Sequence, residues 1–241
     1  MPTQIDEDVL IAEAKEETAS FADFMRVVDS KWCTEQFRNL PAEKATRILE
    51  AATTEFADHG YEHANTNRVA ENSGISVGSL FNYFPTKENL FRHIVYSGSM
   101  LIMGQVKPIL EGEKSIWERL EALLWRVIDS SKAMPELVQL YHEVTSTGNR
   151  AMVASVARDL EGFTANSYTQ LIMAAQDSGE VRPELDPALA AFLIDNIIIT
   201  LQYSLACDYY KMRLDLYNSD VSSEQIVADS LSFIKHAIGA K

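Results

Sequence analysis

Residues 73–90 read SGISVGSLFNYFPTKENL, and the fold turns on what Leu80, Phe81, Tyr83 and Phe84 do within about two turns of helix. Ser76 carries the short polar side chain that caps a helix N-terminus, and Pro85 cannot continue a helix, so VGSLFNYF is predicted to be one short helix. Thr86 then caps the next. Leu80 and Phe84 are spaced i, i+4 and point inward, which leaves Val77, Gly78, Ser79, Phe81, Asn82 and Tyr83 nearer the outside. Upstream, Asn65 caps a second short helix, TNRVAENS, which ends at Gly74. Helices this short are marginal alone because nucleation is unfavourable. They must pack on each other and on a longer neighbour. Ala70 is small where two helices approach closely, Gly74 permits a left-handed turn, and Val69, Ile75, Leu80 and Phe84 supply a small core. A small residue, Gly four positions later and an apolar residue six after that is the spacing of a helix-turn-helix. Two neighbouring outward aromatics, Phe81 and Tyr83, have little use on an ordinary surface. A DNA groove would use them, with thymine methyls for apolar contact and a phosphate for the phenol.

Outward from this corner the helical period continues. Pro41 suits the first position of a helix with Glu43 in its first turn. Ala45, Ile48, Leu49, Ala52 and Phe56 make the inward stripe of that helix, and Gly60 can supply its C-terminal cap. After Thr86 a fourth helix runs to about Pro108, followed by helical patterns over 115–131, 135–146, 150–178, 187–212 and 222–238. The chain is predicted to be all-α. It divides into an acidic, partly helical N-terminal extension over 1–40, a helix-turn-helix domain over 41–92 and a second helical domain over 93–241. In the extension, Phe21, Phe24, Met25, Val28 and Trp32 share one helix face, which predicts that its later part docks on something.

The composition excludes several classes. The 241 residues are 46% hydrophobic with only 10 Gly and 7 Pro, enough for a core and too few breakers for a many-turned sheet protein. The start, MPTQIDEDVL, lacks a basic n-region and is not read as a secretory signal. Cys33 and Cys207 fit reduced thiols in a cytoplasmic protein, not a disulfide framework. The most apolar stretch, 188–207, is interrupted by Asp195, Asn196 and Gln202, and a charge at mid-membrane is costly. A helix buried in a bundle or a subunit interface is expected there, with no membrane span. HGYEH at 59–63 matches a zinc-protease string, but that chemistry needs both His and the Glu on one continuous helix, and Gly60 stands where the first helix should end. His93, His142 and His236 are scattered, and there is no Ser/His/Asp or Cys/His grouping and no phosphate-cradling Gly-rich loop. No catalytic residue, metal or cofactor is expected, and the chain is not read as an enzyme.

Beyond its spacing, the corner carries a family resemblance. NTNRVAENSGISVGSLFNYFPTKENL is similar to the DNA-binding signature of TetR-family transcriptional regulators, tightly over residues 44–95 and only loosely beyond. The resemblance implies a TetR-like architecture: an N-terminal three-helix reading domain followed by a helical domain for ligand binding and dimerisation. It implies that helix 77–84 enters the major groove, with Val77, Gly78 and Ser79 at base edges or nearby phosphates. Tyr83 and Lys87 match positions that grip the backbone, and Thr66, Asn67 and Arg68 open the helix that crosses it. Asn65 and Ser76 start the two helices, and Phe81 and Asn82 lie on the groove face. Phe81 stands where the family usually has Tyr. In the second domain the resemblance implies an effector cavity, for which Met103, Trp125, Tyr141, Phe163 and Asn196 are the candidates, suited to a mostly apolar, bulky ligand. Two-fold dimers are the usual readers of palindromic sites, and the family pairs its last helices into a four-helix bundle. Ala190, Leu193, Ile194, Ile197, Ile198 and Leu201 are the interface candidates.

One number opposes this reading. The formal net charge is −14, whereas phosphate contacts usually leave a basic footprint. Residues 41–93 alone carry five Lys/Arg against seven Asp/Glu. Arg68, Lys87 and Arg92 lie on segments facing the DNA, however, and the helix starts at Asn65, Ser76 and Thr86 add backbone donors and a favourable dipole. Few ionic contacts predict a shallow salt dependence, with a slope of about 0.9 per neutralised phosphate. The expectation is a cytoplasmic, homodimeric regulator of double-stranded DNA, a repressor released from a palindromic operator by a small molecule. The alternatives are an activator or partner-controlled regulator working through the extension, and a ligand-binding protein whose DNA reading has decayed. Phe81→Tyr is expected to leave operator affinity unchanged or to raise it in a gel-shift titration; a large loss would mean that the ring sits in a tightly closed site.

Overall fold

The computed structural model describes residue 28, residues 30–146 and residues 162–240. The described residues are helical almost throughout, and one isolated antiparallel bridge joins Val181 to Gly239. The chain divides into two compact units, Met1–Gly104 and Gln105–Lys241.

The first unit is built on α2 (Ala42–His63), preceded by the single turn α1 (Glu35–Arg38) and followed by α3 (Thr66–Asn72), α4 (Val77–Tyr83) and most of α5 (Lys87–Leu110). The stripe Ala45, Ile48, Leu49, Ala52 and Phe56 is fully buried, as its spacing demands, and Val69, Ala70, Leu80, Phe84, Leu90, Phe91 and Ile94 are buried in the same unit, with the Phe56 ring edge-on to Phe91 at 4.9 Å. Pro41 stands one position earlier than expected, as the N-cap of α2. The regular helix breaks at Gly60, whose φ of 66° and ψ of 167° are nearly closed to residues bearing a Cβ. His59 and His63 are therefore not on one continuous helix. The side chain of Asn65 accepts the amide N–H of Asn67, and that of Ser76 accepts the amide N–H of Ser79, the two caps read from the sequence. Phe21, Phe24 and Met25 of the extension lie outside the described residues. Val28 and Trp32 occupy bends and turns and not a helix face; Val28 packs against Met100, and the Trp32 ring meets Tyr96 edge-on at 5.2 Å.

The second unit contains α6 (Ile116–Ala133), α7 (Pro135–Ser146), α8 (Gly162–Asp177), α9 (Pro187–Ala206), α10 (Asp208–Asn218) and α11 (Ser223–Ile238). Ser115 and Glu118 form a reciprocal capping box at the start of α6, and Asp186 and Ser222 cap α9 and α11. The core joins Leu120, Leu124 and Ile128 of α6 to Leu171 and Ile172 of α8, Ile194 and Ile198 of α9, and Ile234 of α11. The pattern over 187–212 is two helices, not one. Cys207 adopts an extended conformation between them, buried with Val138, Tyr203 and Ala206, and Gln139 Nε2 donates to the Ala206 carbonyl at the break.

The turn between α3 and α4 rests on Gly74, which has φ +68° with no heavy atom within 4 Å of where a Cβ would stand. Conformation and not space requires glycine there. Gly74→Ala should therefore destabilise the first unit by about 1–2 kcal/mol, the cost of a left-handed L-residue, measured by urea denaturation. No loss would show that the turn relaxes without strain.

Candidate nucleic-acid interface

The corner is anchored by two side chains. Leu80 and Phe84 are fully buried, and Phe84 stacks in a tilted arrangement on Phe37 with centroids 4.6 Å apart. Because α4 is fixed through one face, its other face is presented outward. Ser76, Gly78, Phe81 and Asn82 are exposed, and Val77, Ser79 and Tyr83 are half-buried. A Cβ at Gly78 would meet only Ser76 Oγ, at 3.9 Å, so the start of α4 leaves room for close approach of a ligand. Ser76 and Ser79 hydroxyls share a hydrogen bond of 2.8 Å. Phe81 is 40% exposed, an aromatic ring held in water. Asn67 and Arg68 are exposed at the start of α3, with Asn65 and Thr66 half-buried beside them. The expected set, apart from Lys87, thus falls on the start of α3 and along the length of α4.

The cations are arranged differently from expectation. Lys87 donates to three carbonyls, those of Tyr61 at 2.7 Å and of Glu62 and Ala64 at 3.2 Å, and lies 4.8 Å over the Tyr61 ring. The break at Gly60 leaves these carbonyls without helical partners, so the ammonium caps the end of α2 where a phosphate contact was expected. Arg68 pairs with Glu55, whose side chain is only 4% exposed; Nε lies 2.9 Å and 3.0 Å from the two carboxylate oxygens, and Nη2 also donates. Arg92 Nε lies 2.8 Å from Glu88 Oε1. The three expected cations are each engaged within the protein. Sequence reading missed Lys44, in the first turn of α2, which donates to the Tyr83 hydroxyl at 3.2 Å and sits 5.6 Å over its ring. Thirty-nine residues separate the two, and no local pattern links them.

The other candidates are scattered. Met103 lies in the first unit beside Met100. Trp125 packs against the main core of the second unit, and Tyr141 packs on the smaller cluster of Val138 and Tyr203. Phe163 is half-buried at the start of α8. Asn196 is exposed and donates to the Phe192 carbonyl one turn earlier. Among the interface candidates, Ala190, Ile194 and Ile198 are buried in the protomer's own core, and Ile197 and Leu201 border it. Leu193 faces out, with Leu189 and Phe192 beside it on α9 and Phe233 on α11. The outward stripe of α9 is therefore rotated from the expected one, because Ile194 and Ile198 face α6 and α8.

Arg68 and the Asn65 amide hold the Glu55 carboxyl below the ordinary carboxylate value of 4.5, against the opposing effect of burial. A depressed folded pKa contributes stability that is present above the ordinary value and is lost as pH falls through the folded one. Glu55→Gln should lower stability at neutral pH by about 1–2 kcal/mol and flatten the loss of stability below pH 4.5. Denaturation midpoints across pH 3–7 (about the range in which carboxylates titrate) check this; an unchanged acid limb would show that other carboxylates dominate it.

Residues 48–94, from within α2 to the second turn of α5, match the model of the tetR family of bacterial regulatory proteins. The chain is 21% identical over 164 residues to the transcriptional repressor KstR2 of Mycolicibacterium smegmatis, covering 68% of this chain and 80% of the repressor. Its fold is shared with a TetR-family transcriptional regulator from Chloroflexus aurantiacus (TM-score 0.67, 20% identity, 87% of this chain and 99% of that one). It is shared too with the regulator FadR from Bacillus subtilis solved in complex with stearoyl-CoA (TM-score 0.62, 16% identity, 78% and 96%). The corner that presents α4 thus lies inside a match to the DNA-binding domain of the tetR family, and the helices around it share the fold of TetR-family regulators.

Proposed function

We propose that the protein is a cytoplasmic, homodimeric repressor that binds a palindromic operator and leaves it when a small, mostly apolar molecule binds the second unit. The observation that carries this reading is the outward face of α4. Leu80 and Phe84 are buried while Val77, Gly78, Ser79, Phe81 and Asn82 remain available to a groove. A recognition helix contacts bases through its N-terminal residues, and two such helices related by a two-fold axis read two half-sites.

Dimerisation is supported by α9. An apolar helix that buries Ala190, Ile194 and Ile198 still exposes Leu189, Phe192 and Leu193, and Phe233 of α11 is exposed too. Large apolar side chains left in water at this density mark an interaction surface. The family's pairing of its last helices supports a second copy as the occupant. Repression is supported by the KstR2 relative, and an apolar effector by the FadR neighbour with its stearoyl-CoA. Release occurs if the effector prefers a conformation whose two reading heads no longer match the half-site spacing, since a ligand shifts an equilibrium only through its differential affinity for the two states. The engaged cations predict a shallow salt dependence of operator affinity.

Selection from random duplex DNA, at low and at near-physiological salt, should enrich a two-fold symmetric motif. Enrichment of nothing at either salt would refute sequence-specific reading, and an asymmetric motif would refute the symmetric dimer. Phe192→Glu combined with Leu193→Glu should give a folded monomer by sedimentation and lose the palindromic site, because both positions are more than half exposed in the protomer.

A further inference from the structure

The last turn of a helix presents carbonyls without helical partners, and in α4 these are met from an unexpected place. Thr34, at the N-cap of α1, does not cap its own helix. Its hydroxyl donates to the Asn82 carbonyl at 2.8 Å, and its amide N–H donates to the Tyr83 carbonyl at 3.0 Å. Phe37, fully buried three residues later, lies against Phe84 at 4.6 Å and Tyr83 at 6.3 Å. The segment is tied to α5 as well. Ser30 Oγ is 2.6 Å from His93 Nδ1, both residues buried, and Arg38 Nη2 donates back to the Ser30 carbonyl at 2.8 Å. The clamping residues, from Ser30 to Arg38, all lie before residue 48, where the family match begins.

We propose that residues 30–38 are a clamp on the recognition helix, and that Thr34 is a positioning residue for sequence discrimination. A seven-residue helix cannot fix its own orientation, because its nucleus is unfavourable. Its N-terminal end is held by the Ser76 cap and by Leu80. Its C-terminal end is held by Thr34 and Phe37. Base-edge contacts fail steeply when donor and acceptor are misaligned, whereas phosphate contacts carry no sequence information. Loosening the clamp therefore lowers specific affinity and spares non-specific binding. Thr34→Val keeps the shape, the amide N–H and the absence of an α1 side-chain cap, and removes only the hydroxyl bond to Asn82. Thr34→Ser restores the hydroxyl.

The inference rests on the DNA-reading function above, and two measurements separate them. With the duplex enriched by the wild-type protein as probe, Thr34→Val should bind about threefold to tenfold more weakly, the range of one lost hydrogen bond. Its affinity for a scrambled duplex of equal length should change less than twofold, and Thr34→Ser should recover the specific affinity. Equal losses on both duplexes, or no loss on either, overturn the positioning role. Amide hydrogen exchange without DNA should quicken in Thr34→Val at Asn82, Tyr83 and Phe84 but not in α2. Unchanged exchange there overturns the clamp even if wild-type DNA reading holds. Failure of the wild type to enrich any duplex refutes the reading of DNA and, with it, the discriminating role, while quickened exchange would still establish the mechanical contact.

Discussion

The burial of Leu80 and Phe84 is the constraint on which the reading head depends. Neither α3 nor α4 has the length to be stable alone, so their orientation is whatever their buried side chains impose. Two apolar anchors four residues apart fix one face of α4 inward, and that decides which side chains meet solvent. Ser76, Gly78, Phe81 and Asn82 are outward because Leu80 and Phe84 are inward. The clamp formed by Thr34 and Phe37 adds a restraint at the opposite end of the helix from the Ser76 cap.

Charge is organised around the same head. In a protein of net charge −14, Arg68, Lys87 and Arg92 neutralise Glu55, the carbonyls at the broken end of α2, and Glu88. They stabilise the geometry that presents α4 more than they add free positive charge. An acidic surface weakens non-specific attraction to a polyanion. The position of Lys44 over the Tyr83 ring and hydroxyl places one cation at the flank of the reading helix.

In the second unit, α9 is apolar nearly all round and is long and apolar enough by length and composition to cross a membrane. Its inner side chains are absorbed by α6 and α8, and its outer ones are left in water. Such a helix has one apolar face packed in the protomer and large apolar side chains left exposed on the other.

The sequence by itself determined what depends on near neighbours. The caps at Asn65 and Ser76, the buried stripe of α2, the need for glycine at position 74, the all-α fold and the spacing of the corner were legible, because capping and i, i+4 packing act within a turn of helix. Residues carrying family resemblance sharpened this to a reading function. Tertiary structure alone decided where long-range partners meet: Lys87 on carbonyls 23 to 26 residues away, Arg68 on Glu55, and Thr34 on Asn82 across 48 residues. It also decided which side of α9 is core, so that Ile194 and Ile198 face inward and Phe192 and Leu193 outward. A helix apolar over so much of its surface carries too weak a periodicity to mark its inner side. A long cation or a hydroxyl satisfies whichever carbonyl or carboxylate the fold brings within reach, and that distance is set by the packing of whole helices.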